Sequence, residues 1–453
     1  MFGMMVPRSA IVAVVLLAVG CDGSPAPGPG IGPVQITGSE RLGWDQPASS
    51  AAELATFRYN MYIDGAAVEL EGVQCNLSTG GSAYPCDVRL PPLSPGAHTL
   101  TLSAFVAGNT GLESSQSAPL QVFVVAGATQ LTADGRSVFS TLDGTPLGLH
   151  LTATGLVDPV DIAVTPDGRV FVAERSGRIV VFEGDPPRPT AELFVPEVHT
   201  AGRGGLLALA PDPEFHENGL LFAVYTTQAG FEAARFRMVA NRLGERLVLV
   251  HDVEPSFVAP AASLRFGSDG KVFVAFDDGA DSNRAGDPGS FNGKVLRLNP
   301  DGTTPADQAG GSPVYAMNVN DPRGIDWNSS ADTMWILERD PDGVDRVQAI
   351  AEETTGGHRG TATVRYSLPV GTGASDLAVY RHDLFPGFRD NLMVAGTERQ
   401  AILRMMVDPS DPRRIVSTEW LLQDAVGSIR ALAVGVDGAI YVCTTDSLLT
   451  LTP

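Results

Sequence analysis

The chain has 453 residues, among them 50 Gly and 33 Pro, with 18% charged residues and a formal net charge of -21. That length allows two or three domains with a core not limited by size, and abundant turn formers accompany short strands. The acidity, without a basic run anywhere, excludes a nucleic-acid partner, because phosphates are bound by clustered Lys and Arg.

The first elements read as targeting. Arg8 precedes the apolar run Ile11 to Leu17, and Ala18-Val19-Gly20 place small residues before Cys21. The run is too short to span a bilayer comfortably, which predicts an export signal over residues 1–21. The pattern resembles a bacterial lipoprotein signal, which implies Cys21 as the lipidation site and a chain lipid-anchored in the cell envelope on its periplasmic or surface side. An ordinary cleaved signal with an incidental Cys fits the same residues. Residues 22–33, rich in Pro and Gly and lacking any apolar period, read as a tether.

From Val34 to residue 126 the pattern is one β-sandwich. Phe57, Tyr59, Met61 and Ile63 alternate into Asp64-Gly65, and Leu100, Leu102, Ala104 and Val106 alternate after a Pro95-Gly96 turn. The early Trp44, the mid-strand Tyr59 and the run Leu93-Ser94-Pro95-Gly96-Ala97-His98 resemble a fibronectin type III module, a generic spacer or binder of proteins. Cys75 and Cys86 lie close in this exported segment and are expected to form a disulfide. Cys443, in an alternating strand, reads as a buried small hydrophobe.

After a hinge, residues 147–453 repeat one unit. Its clearest copy is Leu264-Arg265-Phe266 into Ser268-Asp269-Gly270, then Lys271 to Phe276, and later Lys294 to Leu298 ended by Asp301-Gly302. Asp167 to Val172 and Asp437 to Val442 repeat the hairpin closely, and segments at Phe222, Trp335 and Met393 loosely. The large central residues Phe171, Phe222, Phe273, Trp335, Met393 and Tyr441 are spaced by about 51, 51, 62, 58 and 48 residues, the interval of four-stranded blades. This predicts an all-β chain: a six-bladed β-propeller behind the fibronectin type III-like β-sandwich, with one terminal segment completing the blade begun by the other. A second β-sandwich with similar hairpins is the competing fold.

Four motifs in order carry a further resemblance: Gly204-Gly205-Leu206 to Phe215, Leu264 to Gly270, Asn292-Gly293-Lys294-Val295-Leu296-Arg297-Leu298, and Ile429-Arg430 to Gly438. They resemble the glucose/sorbosone dehydrogenase family, quinoproteins that oxidise sugars with pyrroloquinoline quinone (PQQ) and hold calcium. The resemblance implies a His base just ahead of the third hairpin, where this chain has Phe257 to Ser263 with no titratable group. The family's Arg-Asn-Pro-x-Gly is here Asn320-Asp321-Pro322-Arg323-Gly324. Its quinone-binding Lys falls near Glu398, and of its Arg-x-Arg pair Arg430 remains beside Ser428. A tricarboxylate cofactor needs cations, so the site reads as degenerate. Arg203, Arg323, Arg399 and Arg430 are the candidates to hold a cofactor, and His199 is the candidate catalytic base.

Two loops offer hard oxygen ligands for calcium: Asp277, Asp278 and Asp281 in one, and Asp340, Asp342 and Asp345 in the other. They read equally as solvated turn acids. Two functions follow. The first is a cell-envelope lipoprotein whose degenerate propeller binds a small-molecule or carbohydrate ligand or acts as a scaffold, with the membrane met through the lipid anchor alone and a protein partner open to the sandwich. The alternative is a PQQ-dependent oxidoreductase of aldoses or related alcohols with a rearranged site. No nucleophile motif supports a hydrolase.

Overall fold

The computed structural model describes residues 14–17, 33–38, 40–76, 83–127, 130–131, 136–257, 259–329, 333–351 and 364–453. Cys21, the expected lipidation site, lies outside the described residues, as does the tether up to residue 32. Among the described residues no helix is long and apolar enough to cross a membrane. The chain forms two compact units, Met1–Gly135 and Arg136–Pro453.

The first unit is built from two sheets. One orders Val14–Leu17, Arg41–Pro47, Ala83–Arg89 and Gln74–Cys75; the other orders Val34–Ile36, Leu120–Val124, Gly96–Val106, Phe57–Ile63 and Ala66–Glu69. Alternation decides which side chains meet between them. Phe57, Tyr59 and Met61 from one sheet share a buried cluster with Trp44, Cys86 and Val88 from the other. The Trp44 and Tyr59 rings meet edge to face at 4.9 Å, so the unit is a β-sandwich. Cys75 and Cys86 face each other across neighbouring strands and form the disulfide.

The second unit is the six-bladed propeller. Blade 1 runs Pro159–Val164, Val170–Glu174, Arg178–Glu183 and Arg188–Phe194, each strand antiparallel to the last. Blades 2 to 5 repeat this order from Leu206, Ala262, Asp321 and Ala374. Blade 6 takes Ala431–Val434, Ile440–Cys443 and Ser447–Thr452 from the end of the chain and Pro146–Thr154 from its earlier part. The innermost strands pack in sequence and the sixth returns to the first. Ser137–Ser140 pairs with Pro146–Thr154, so this unit starts inside the stretch that reads as a hinge.

The repeated turns have a physical cause. Gly168, Gly270 and Gly438 take φ of +85°, +69° and +86°, the left-handed region where a Cβ is penalised. In each case the same turn is closed by the glycine N–H donating to the carbonyl three residues back, at Thr165, Gly267 and Gly435. The second strand of each blade buries the central residue predicted from spacing; Phe171, Phe222, Trp335 and Met393 are fully buried and Phe273 and Tyr441 nearly so. Cys443 is buried and free.

Hydrophobic clusters join blades 6 and 1, 1 and 2, 2 and 3, 3 and 4, and 4 and 5. Where blade 5 meets blade 6 a guanidinium is added to the packing. Arg404, in Ala401–Asp408, is 1% exposed and pairs with Asp143 at 3.0 Å and Glu419 at 3.1 Å. It also lies 4.0 Å over the Phe388 ring. Asp143 belongs to the turn that leads into Pro146–Thr154, so this arginine fastens the strand that closes the ring.

Candidate functional site

In an antiparallel blade the start of the inner strand, the second turn and the end of the outer strand share one end. Every residue the sequence proposes for cofactor, base or metal lies at that end of the propeller. The inner strands are specialised there. Register shifts occur at Pro159/Asp161, Leu206/Ala208, Pro322/Gly324 and Ala374/Asp376, so four blades carry a bulge beside the channel mouth, a device that re-aims side chains.

Three arginines converge between blades 6, 1 and 2. Arg175 Nε donates to Asp158 Oδ2 at 2.8 Å, and Arg430 pairs with the other oxygen of the same carboxylate. Arg175 Nη1 also donates to the Arg203 carbonyl at 2.8 Å. Burial holds the Arg175 guanidinium below its ordinary pKa; Asp158 opposes this, and the like charges of Arg430 and Arg203 add to it. Charge therefore remains uncompensated here: Arg175 and Arg430 share one carboxylate, with the like charge of Arg203 close by. Arg203 itself is exposed, as is His199 four residues earlier. His199 is held by its backbone, its N–H donating to the Thr226 carbonyl at 2.8 Å and its carbonyl accepting from Thr226 Oγ1 at 2.6 Å.

The other two cation candidates are employed elsewhere. Arg323 is the bulged residue of blade 4, so its side chain turns toward blade 5 and donates to the Ala374 carbonyl at 2.9 Å while pairing with Asp321 at 2.7 Å. Arg399 stacks 5.5 Å from the ring of Trp420, on the outermost strand of blade 5. It points away from the mouth. Of the proposed set of Arg203, Arg323, Arg399 and Arg430, the structure brings Arg203 and Arg430 together with Arg175 and gives Arg323 and Arg399 other partners.

Deeper in the hub lies an ionic cluster. Arg265 of blade 3 binds Asp161 of blade 1 through two bonds of 2.9 Å and approaches Asp376 of blade 5 at 3.6 Å. Each carboxylate also staples the next blade: Asp161 accepts from Leu209 N and Asp376 from Leu432 N. Asp326 of blade 4 does the same for Val379 N and pairs with Arg381 at 2.6 Å. Burial and the neighbouring Asp161 push the Asp376 carboxyl up, with Arg265 opposing.

The calcium expectation is not met by geometry. Among the described residues no three His, Cys, Asp or Glu side chains group so as to hold a metal ion. Asp277 is saturated by the amides of Ser256, Ala261 and Gly279. Asp281 caps the short helix Ser282–Gly286. Asp340 accepts from the Asp342 and Val344 amides and pairs with Arg346, while Asp345 binds Arg339 and the Ala374 amide. Asp278 is half-buried and Asp342 is exposed. Asp277, Asp278, Asp281 and Asp340 thus brace their own loops through backbone amides.

Asp277 has a measurable signature. Burial pushes its carboxyl up to about 7, with the backbone amides opposing and Asp321 adding. A carboxyl raised on folding contributes stability that is fully present below about pH 4 and lost as pH rises through its folded value. Wild type should therefore lose more melting temperature between about pH 5 and about pH 8 than Asp277→Asn does. Equal slopes in the two proteins would rule out a titrating Asp277.

Sequence reading missed Arg175, Asp158, Asp161, Asp376 and the hub role of Arg265. A usable signal existed for two of them: Asp161-Ile162-Ala163-Val164 and Asp376-Leu377-Ala378-Val379 place an acid at the same point of otherwise apolar inner strands. Nothing local marks Arg175 or Asp158.

Known proteins share this framework. The structure resembles the PQQ-bound form of aldose sugar dehydrogenase from Streptomyces coelicolor, with a TM-score of 0.58 at 21% identity over 68% of this chain and 98% of that one. It resembles the apo-form of the soluble aldose sugar dehydrogenase of Escherichia coli with a TM-score of 0.59, at 19% identity over 68% and 99% of the two chains. In sequence, aldose sugar dehydrogenase YliI of Escherichia coli (strain K12) is 23% identical over 327 residues, covering 64% of this chain and 87% of that protein. At such identities the structural likenesses establish the propeller. The model of one family, Glucose / Sorbosone dehydrogenase, matches residues 156–369 and 352–451, nearly the whole ring from the first inner strand to the last, and with that match the chain belongs to the glucose/sorbosone dehydrogenase family.

Proposed function

We propose that the propeller holds a carboxylate-bearing ligand at its channel mouth, and that the chain works as a ligand-binding protein of the cell envelope. One observation carries this reading: Arg175 and Arg430 share the single carboxylate of Asp158, and the exposed Arg203, whose carbonyl Arg175 binds, adds a like charge close by, within a chain of net charge -21. Fixed guanidinium forks match carboxylates in charge and shape. PQQ is the ligand class that fits best, since it is a tricarboxylate and a structural neighbour is described as binding it. Arg175 and Arg430 would grip its carboxylates, with Arg203 beside them. The acids offered for calcium do not fit that role.

Binding is favoured over turnover because Phe257 to Ser263, where the family places its base, has no titratable side chain. The second reading, oxidation of aldoses or related alcohols, is supported by His199, an exposed imidazole on the same face. When bound, the quinone would supply a hydride acceptor, and His199 would take the hydroxyl proton. Titrating the purified chain with PQQ, with and without calcium, tests both readings. Expected are a saturable change in quinone absorbance, weakened about 10-fold or more in Arg175→Ala/Arg430→Ala, and no dye reduction with glucose. Absence of binding in wild type would sink the proposal, whereas dye reduction lost in His199→Ala would establish the second reading.

The envelope location is supported by the run from Ile11 to Cys21 and the tether after it. Such a chain meets the membrane through its lipid and leaves the sandwich free for a protein partner. Expressed in a bacterial host, wild type should partition into the detergent phase and Cys21→Ser into the aqueous phase. Identical partitioning would remove the anchor.

A further inference from the structure

Asp158 occupies the place an incoming carboxylate would take. It stands between blade 6 and blade 1, one residue before the first inner strand, with φ of +48°. One of its oxygens receives Arg175 Nε at 2.8 Å and the other receives Arg430. The pair is reachable from solvent, the Asp158 side chain being 38% exposed and the two guanidiniums 21% and 22%. No hydrophobic cluster includes Asp158, and its backbone carbonyl accepts from the Arg175 amide at 3.1 Å, which holds the loop without the side chain.

We infer that Asp158 is the resident counter-ion of the channel-mouth site and sets which anions it accepts, a specificity-determining carboxylate that polyanionic ligands must displace or share. This rests on the ligand-binding reading above and deepens it. With Asp158 in place the two guanidiniums bound to it carry one negative charge between them, a surplus of about one positive charge to which the exposed Arg203 nearby adds. With Asp158 removed the surplus rises by one charge, which strengthens every carboxylate contact and those of a tricarboxylate most. Asp158 thus acts as a competing internal ligand: it preorganises Arg175 and Arg430 in fork geometry while lowering affinity for anything that needs both forks at once.

The backbone supplies a clean test. At φ of +48° glycine is favoured over any residue with a Cβ, so Asp158→Gly deletes the carboxylate and relaxes the loop. The full chain and the Asp158→Gly variant are titrated with citrate, a tricarboxylate, and with acetate, by calorimetry at fixed ionic strength. The variant is expected to bind citrate about 10-fold tighter than wild type and acetate more tightly as well, and its melting temperature is expected to rise on adding citrate by more than that of wild type. Affinity unchanged or weaker in a folded variant overturns the inference, as does a variant that binds neither anion. Should Asp158→Gly not fold, Asp158→Asn, which keeps the shape and loses the charge, gives the same comparison. Failure of the ligand-binding reading looks different: wild type then binds neither PQQ nor citrate, and a variant that gains citrate binding still shows Asp158 as the occluding group.

Discussion

Arg265→Met should unfold the propeller more readily than any change at its rim, with a loss of roughly 3–5 kcal/mol. The reason lies in what the substitution leaves behind. Asp161 and Asp376 have side chains 3% and 4% exposed, and Arg265 is the cation that faces both. Burial opposes the Arg265 charge, yet the two facing carboxylates more than offset it and displace its pKa upward. Without the guanidinium, two buried carboxylates face each other unpaired, and each must take a proton or draw in water. Because the cluster ties blades 1, 3 and 5, the cost should appear as a cooperative drop in melting temperature of roughly 5–15 °C. Adding Asp161→Asn and Asp376→Asn should recover much of the loss, since the amide oxygens can still accept the Leu209 and Leu432 amides. A melting temperature within about 2 °C of wild type for Arg265→Met would show that the hub is held by its backbone alone.

The second large effect is expected at Arg404→Met, by the same physics at the closing strand. Arg404 donates to Asp143, Glu419 and the Gly387 carbonyl and stacks on Phe388, so removal strands the nearly buried Glu419 and frees the turn before Pro146–Thr154. A loss of roughly 3–5 kcal/mol is expected, but with a different signature from Arg265. The outer strands of blade 6 should exchange their amide hydrogens first, because their attachment to blade 5 depends on this clasp. Uniform loss of protection across all six blades would argue against a local clasp. Asp143 supports the assignment, its carboxyl being held far below the ordinary range by the Thr141 hydroxyl, with Arg404 among the further causes.

The candidate site divides residues that sequence could point to from residues it could not. Arg203 and Arg430 were reachable because each sits next to a family motif, Gly204-Gly205 in one case and Ala431-Leu432-Ala433 in the other. Arg323 and Arg399 are equally close to motifs, yet the structure gives them other partners. A bulge turned the first toward blade 5, and an outer-strand tryptophan drew the second aside. Side-chain direction at a bulge cannot be read from alternation, since alternation is what a bulge interrupts. The acids of the two loops point to a metal by type alone, while backbone amides occupy Asp277, Asp278, Asp281, Asp340 and Asp345.

What the amino-acid order determined by itself is the repeating unit. The Asp-Gly turns, the alternating strands and the spacing of six large residues are local quantities, fixed within a few residues by steric and periodic rules. They suffice for six blades, and ring closure follows from the need to cover two open sheet edges. Where charge meets charge was decided only by the closed ring. Asp158 and Arg430 are 272 positions apart, and Arg265 meets Asp161 across 104; no periodicity links such pairs. Their contacts arise because six inner strands converge on one axis, which brings chemically unrelated stretches of chain within a few ångströms and lets Coulomb interactions in a poorly hydrated hub choose the partners.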